Sequence, residues 1–218
     1  MDIKVDQNTV IVFDLDDTLY NEIDYLKSAY TALAKDLEPE NWEQLYANLF
    51  SLYRNNENPF KYVSENFGVS TTELIELYRD HIPNITPFEG VLQKFQIIKD
   101  RKGKIAILTD GRSKSQRNKI NALGLIPYLD YIVISEEIGS EKPDKKNFKS
   151  IENHFKVKNY YYIGDNLKKD FITPNQRGWQ TIALLDNGLN IHSNAYLYNK
   201  EEHLPHNYVL HFDQLNFI

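Results

Sequence analysis

The sequence predicts an α/β fold, an open parallel sheet with an all-helical insertion after its first strand. Two textures along the chain carry that prediction. The first is a series of short β-rich apolar runs at Thr9 to Phe13, Ile105 to Leu108, Tyr131 to Ile134, Tyr160 to Ile163 and Thr181 to Leu185. Each is followed closely by Gly, Asp or Ser, as strands buried on both faces are. Helical segments lie between them at Lys114 to Leu123, before Gly124, and at Lys145 to Phe155. The resulting β–α–β–α order implies a parallel sheet with right-handed crossovers. The second texture runs from Glu22 to Ile82, where apolar residues recur every three or four positions and no β-like run occurs.

Within that insertion, Tyr25, Leu26, Ala29, Leu33 and Leu37 mark one helical face before Pro39. Trp42, Leu45, Tyr46, Leu49, Leu52 and Tyr53 mark a second before Asn55 to Pro59. A shorter helix spans Pro59 to Phe67 and stops at Gly68. Ser70-Thr71-Thr72-Glu73 then opens a fourth with capping residues, and Leu74, Ile75, Leu77 and Tyr78 form its apolar side. Pro83 and Pro87 end the segment. Residues 1–20 and 88–218 are therefore expected to form the core and 21–87 a helical bundle beside the strand ends, hinged at Tyr20 to Glu22 and Thr86 to Gly90. Beyond Leu185, Asn187-Gly188 signals a turn, Leu189 to His203 lacks periodicity, and Asn207 to Phe212 alternates well enough for a last, edge strand.

Composition removes whole classes of chemistry. The 218 residues are 41% hydrophobic and contain no Cys, so disulfide frameworks, thiolate nucleophiles and Cys-ligated metals are excluded. No apolar run approaches the roughly 18 residues of a membrane span. The N-terminus shows no basic segment followed by a long apolar run, so cytoplasmic residence is the expectation. A formal net charge of -6 argues against general binding to nucleic acid or anionic membranes. The basic residues between Lys94 and Lys119 read as solvated surface, as do His192, His203, His206 and His211.

The chemistry concentrates at strand ends. Asp14-Leu15-Asp16-Asp17-Thr18 places three carboxylates in four positions after a buried strand, an arrangement that repels itself unless a cation or hydrogen-bond donors compensate. Oxygen ligands point to Mg²⁺, and capping aspartates in a polar turn are the alternative. Thr109-Asp110-Gly111 supplies a hydroxyl and backbone amides at a strand-to-helix turn suited to an oxyanion, or an ordinary N-cap. Glu141-Lys142-Pro143-Asp144 sets a cation before the next helix. Gly164-Asp165-Asn166-Leu167-Lys168-Lys169-Asp170 sets two carboxylates around a turn in which Gly164 allows close backbone approach. In open α/β sheets ligands bind at the carboxyl ends of strands, so the four segments can converge in one crevice.

With these segments in this order, the sequence resembles the haloacid dehalogenase (HAD) superfamily. Further matches are Pro87-Phe88-Glu89-Gly90-Val91, Leu123-Gly124-Leu125 and Arg177-Gly178-Trp179, so the likeness covers most of the chain and weakens only after Leu185. It implies a Rossmann-like core and a C1 helical cap that closes over substrate and sets specificity. It further implies a Mg²⁺-dependent phosphatase acting on a small phosphorylated metabolite through an aspartyl-phosphate, without nucleic-acid or membrane partners. Asp14 would be the nucleophile. Asp16 would protonate the leaving oxygen, activate water and, with a backbone carbonyl, serve the metal. Thr109 and the Asp110 and Gly111 amides would hold the phosphoryl group, and Lys142 would offset its charge. Asp165 would complete the metal site with Asp14 and Asp16, and Asp170 would support it from behind or orient Lys142. Arg112, beside the phosphate turn, is a candidate for a second anionic group of the substrate.

Alternatives within the superfamily are separable by residue. Dehalogenases lack a carboxylate two positions after the nucleophile, so Asp16 argues against that chemistry. Phosphonatases use a Schiff-base lysine from the cap, for which Lys27, Lys35 and Lys61 are available. A sugar phosphomutase of the β-phosphoglucomutase type shares every core residue named, and a non-catalytic binding protein would be free to lose Asp14, Asp16 or Lys142, all of which are present.

Overall fold

Apolar runs too uniform to alternate between core and solvent become strands covered on both sides. A computed structural model describes residues 1–218. In chain order, β1 (Asp2–Ile3) and β2 (Thr9–Phe13) precede α1 (Glu22–Leu37), α2 (Trp42–Arg54), α3 (Pro59–Phe67), α4 (Thr71–Asp80) and α5 (Val91–Asp100). Then come β3 (Lys104–Thr109), α6 (Ser113–Ala122), β4 (Tyr131–Ile134), α7 (Ser135–Ile138), α8 (Lys145–Phe155), β5 (Asn159–Gly164) and α9 (Ile172–Gln176). β6 (Gln180–Leu184), β7 (Asn207–Val209) and β8 (Asn216–Phe217) complete the chain.

Six strands form one parallel sheet in the order β4-β3-β2-β5-β6-β7. The α/β class with an open parallel sheet is thus as expected. Side chains alternate between two cores. Ile11, Phe13, Ile105, Ile107 and Ile163 pack against α5 and the C-terminal segment, whereas Val10, Val12, Ala106, Leu108 and Tyr162 pack with Phe148, Ile151 and Trp179 on the other face. The chain runs outward from β2 in both directions, through β3 and β4 on one side and β5, β6 and β7 on the other. The crevice of such a sheet therefore opens at the carboxyl end of β2.

The four insertion helices follow their local signals. Asn58 caps α3 by accepting from the Phe60 and Lys61 amides, Gly68 ends it in the left-handed region (φ 71°), and Ser70 caps α4 by accepting from Glu73 N at 3.2 Å. Leu45, Leu49, Val63 and Leu74 bury with Ile23, Tyr30 and Leu33 in a third, separate core. The Phe88 amide donates to the Leu19 carbonyl at 2.8 Å, so the chain re-enters the core where it left.

Three features depart from the sequence pattern. Val91–Asp100 forms a helix that the pattern left unassigned. The last strand stops at Val209 rather than Phe212, because Phe212–Gln214 turns in a 3₁₀ helix and Leu210 N donates to Gln214 Oε1 at 2.8 Å. β1 and β8 pair as a two-stranded parallel ribbon joining the chain ends, each too short to register as an apolar run. No helix is long and apolar enough to cross a membrane.

Candidate active site

Register brings the four polar segments together. Phe13 pairs with Ile107 on one side and Ile163 on the other, so Asp14, Thr109 and Gly164-Asp165 leave adjacent strands at the same level. The Asp14 amide still donates to the Ile163 carbonyl at 2.9 Å, extending the sheet by one residue under the nucleophile candidate. Beyond it Asp17 turns the chain with φ 55°, a conformation Asp tolerates better than most residues. Asp14, Asp16, Thr109, Asp110 and Asp165 line one cavity of about 130 Å³, the space of a few waters. Its lining contains no hydrophobic side chain, and Asp17, Glu22, Asn166, Lys169 and His192 complete it. A larger cavity of about 260 Å³ lies beside it around Leu184, Leu210 and Phe212, sharing only Asp17.

The Lys142 side chain is wholly buried behind Asp14 and does not itself line the cavity. Its ammonium donates to Asp14 Oδ1 at 2.7 Å and to Tyr162 OH at 3.0 Å, and lies 2.7 Å from Asp170 Oδ1. Tyr162 donates in turn to Asp170 Oδ1 at 3.2 Å, and the Asn166 amide donates to Asp170 Oδ2 at 3.0 Å. Gly164 is required here, because a Cβ would stand 2.5 Å from Asp170 Oδ2. Burial opposes the charge on Lys142, yet Asp14 and Asp170 outweigh it and hold the ammonium well above its usual range. Burial raises Asp14 to about 7 against the pull of Lys142.

Asp14, Asp165 and Asp170 can each bring a carboxylate oxygen within 4.8 Å of the others. Asp165 has only the Asn190 amide on Oδ2, at 3.0 Å, and burial followed by the charges of Asp170, Asp14 and Asp17 pushes it well above the carboxylate range. A hard divalent cation fits this set: all ligand atoms are oxygens, and the negative charge exceeds what Lys142 and Lys169 offset. The Asp16 side chain lies outside the cluster.

Asp16 instead meets donors from several directions. Lys119 donates to Oδ1 at 2.7 Å, Tyr20 to Oδ1 at 2.5 Å and Gln116 to Oδ2 at 2.8 Å. Burial works against the charge, but Lys119, Tyr20 and Gln116 together hold the carboxyl below its usual value. Gln116 also donates to Thr109 Oγ1 at 2.6 Å. Glu22, at the start of α1, lies 3.6 Å from Lys119 and is raised to about 8 by burial and then by the charge of Asp16.

The remaining candidates divide. Asp110 faces the cavity and accepts from the Lys142 amide at 3.0 Å and from Lys169 at 2.9 Å. The Gly111 amide donates to Ser135 Oγ at 2.9 Å, and Arg112 points outward to Glu136 at 2.7 Å; neither residue lines the cavity. Lys27, Lys35 and Lys61 meet Asp24, the Trp42 ring and Glu65 and stay out of it as well.

One reading needs correction: Lys119, grouped with solvated lysines, is 4% exposed. His192 is exposed, as expected, but also lines the cavity, because the segment after β6 crosses the site: Ile191 N donates to Asp17 Oδ2 at 2.8 Å and Asn187 to Asn21 at 2.7 Å. Asn187-Gly188 marked a turn there, but no periodic signal showed its direction. Tyr162 and Lys169 were likewise missed, one inside an aromatic strand and the other inside a basic turn.

A family model described as haloacid dehalogenase-like hydrolase matches residues 11–184. The chain belongs to that family. It is 25% identical over 194 residues to the glyceraldehyde 3-phosphate phosphatase of Methanocaldococcus jannaschii, covering 80% of this chain and 84% of the relative. It is 29% identical over 154 residues to the pyrimidine 5'-nucleotidase YjjG of Escherichia coli, covering 63% and 67%. The crystal structure of magnesium-bound YfnB from Bacillus subtilis shares the fold at TM-score 0.64 and 17% identity, covering 94% of this chain and 95% of the other. The open-sheet core with its helical insertion is therefore the HAD architecture, and this hydrolase brings its four polar segments together at the carboxyl end of its sheet.

Proposed function

We propose that this HAD hydrolase is a Mg²⁺-dependent phosphatase of a small phosphorylated metabolite, working through an aspartyl-phosphate on Asp14. The observation that carries the reading is the buried Asp14–Lys142–Asp170 chain beside Asp165, which presents one carboxylate among fixed charges at the floor of a small polar cavity. Relatives named as a glyceraldehyde 3-phosphate phosphatase and a pyrimidine 5'-nucleotidase support a phosphomonoester substrate. The helices over 21–87 serve as the lid.

Lys142 holds Oδ1 of Asp14, leaving Oδ2 to attack phosphorus. The P–O bond to the leaving group breaks as the Asp14 Oδ2–P bond forms, and the departing oxygen takes a proton from Asp16, which binds that proton from solvent together with the substrate because its donors keep it ionised in the free site. Water then attacks the phosphorus of the aspartyl-phosphate and gives a proton back to Asp16, which releases inorganic phosphate and restores both carboxyls. Thr109 and Lys142 hold the transferring group, and Asp170 keeps Lys142 in place. Asp14, Asp165 and the Asp16 backbone carbonyl would bind Mg²⁺, which supplies charge neutralisation for the phosphoryl oxygens.

The test is phosphate release from glyceraldehyde 3-phosphate, sugar phosphates, nucleotides and 4-nitrophenyl phosphate, with Mg²⁺ or EDTA. Release should need Mg²⁺ and fall on the order of 10³-fold or more in Asp14→Asn. Undiminished turnover in that variant overturns the mechanism. Silence on every ester, with exchange between sugar-phosphate isomers, would establish a mutase instead.

A further inference from the structure

The acid/base carboxylate is gripped by two side chains of α6 that lie outside the four polar segments. We infer that Lys119 and Gln116 are the positioning residues of Asp16, and that Lys119 ties this positioning to the docked helical insertion.

Residues three apart on a helix share a face, so Gln116 and Lys119 reach Asp16 from the same side. Each takes a different oxygen: Gln116 Nε2 lies 2.8 Å from Oδ2 and Lys119 Nζ 2.7 Å from Oδ1. Two donors on separate oxygens fix the plane of a carboxyl group, whereas one donor leaves it free to rotate. Gln116 also holds Thr109 Oγ1 at 2.6 Å. One amide therefore sets the distance between the hydroxyl assigned to the phosphoryl group and the carboxyl assigned to the leaving oxygen.

A lysine kept 4% exposed carries a large desolvation cost, which only its partners offset. Besides Asp16 these are Glu22 Oε1 at 3.6 Å and the Tyr25 ring, whose centroid lies 4.4 Å from the ammonium. Both belong to α1 of the insertion. The same helix α6 meets the insertion again where Ser115 Oγ donates to the Arg79 carbonyl at 3.2 Å and Lys114 pairs with Asp80 at 2.5 Å. The Lys119 ammonium thus bridges the core acid and the docked helices.

This inference rests on the phosphatase reading, and esters of different leaving groups separate the two. An alkoxide needs a proton to depart, whereas 4-nitrophenolate does not, so the ratio of the two rates reports on Asp16 rather than on general damage. The wild type, Lys119→Met, Gln116→Met, Asp16→Asn and the Asp16→Asn/Lys119→Met double variant are assayed on 4-nitrophenyl phosphate and on the alkyl ester of the panel that the wild type turns over fastest. The expected result is a loss of about tenfold or more in kcat/KM, which reports on the steps up to transfer to Asp14, on the alkyl ester for each α6 variant, a loss on the aryl ester under about threefold for Lys119→Met and at least about threefold smaller than the alkyl loss for Gln116→Met, which also frees Thr109, and no further loss in the double variant beyond Asp16→Asn. Equal proportional losses on both esters, or additive losses in the double variant, overturn the inference and leave these residues a purely structural role. If Lys119→Met does not fold, Gln116→Met decides by the same ratio, since it removes no buried charge. A wild type silent on both esters overturns the phosphatase reading and this inference with it.

Discussion

Replacing Lys142 with Met tests the charge balance on which the whole site depends. The ammonium is fully buried and stands 2.7 Å from both Asp14 Oδ1 and Asp170 Oδ1, so the variant leaves two buried carboxylates facing each other without their shared cation. Met keeps the length and the apolar stem, which confines the perturbation to the charge. Removing one partner of a buried pair costs about 3–5 kcal/mol. In a chain of this size each kcal/mol lowers Tm by about 2–4 °C, so a drop of roughly 6–20 °C is expected. The pH dependence has a definite sign. Asp14 already titrates at about 7 beside Lys142, above its unfolded value, so the folded state binds more protons than the unfolded one across that window. Stability present at low pH is therefore lost as pH rises through the folded pKa, and the variant, with its cation gone, shifts that loss further upward. Calorimetry in EDTA at pH 5 and pH 8 should show a larger penalty at pH 8, where the carboxylates are charged. A penalty under about 1 kcal/mol at pH 8, or one equal at both pH values, would refute the reasoning.

Mg²⁺ should stabilise the wild type against heat by about 2.7 kcal/mol at 100-fold excess over Kd, roughly 5–11 °C, and Asp165→Asn should remove most of that shift. An undiminished shift in the variant would place the cation elsewhere. Arg112→Ala should change stability by less than about 1 kcal/mol and leave KM for the best ester unaltered, because its guanidinium pairs with Glu136 on the surface. A tenfold rise in KM would instead bring Arg112 to the substrate.

What was legible in the sequence had a period or a turn. Strands such as Thr9–Phe13 are apolar from Val10 onward because both faces are covered, and Ser70 and Gly68 announce helix ends, one through its hydroxyl and the other through its backbone freedom. Asp14, Asp165 and Asp170 were legible because carboxylates after a buried strand are costly and so need a reason. The segment over 186–192 was not, since its course depends on single hydrogen bonds such as Ile191 N to Asp17 and Asn190 to Asp165, which leave no pattern in the residues themselves.

Cations were the hardest to read, for a physical reason. A lysine has the same hydrophobic stem whether its head reaches water or a buried carboxylate, so helical periodicity assigns both to the outer face. Lys114 and Lys119 stand on one helix five residues apart; the first is an exposed partner of Asp80 and the second a buried partner of Asp16. Only the tertiary position of Asp16, delivered by a strand a hundred residues away, distinguishes them. Lys142 escaped this ambiguity because Pro143 and the succeeding helix gave it a motif, and Lys169 did not, although its ammonium reaches Asp110 at the cavity wall. The carboxylates of the site are thus written locally, while much of their compensating charge exists only once the sheet and the helical insertion have assembled around them.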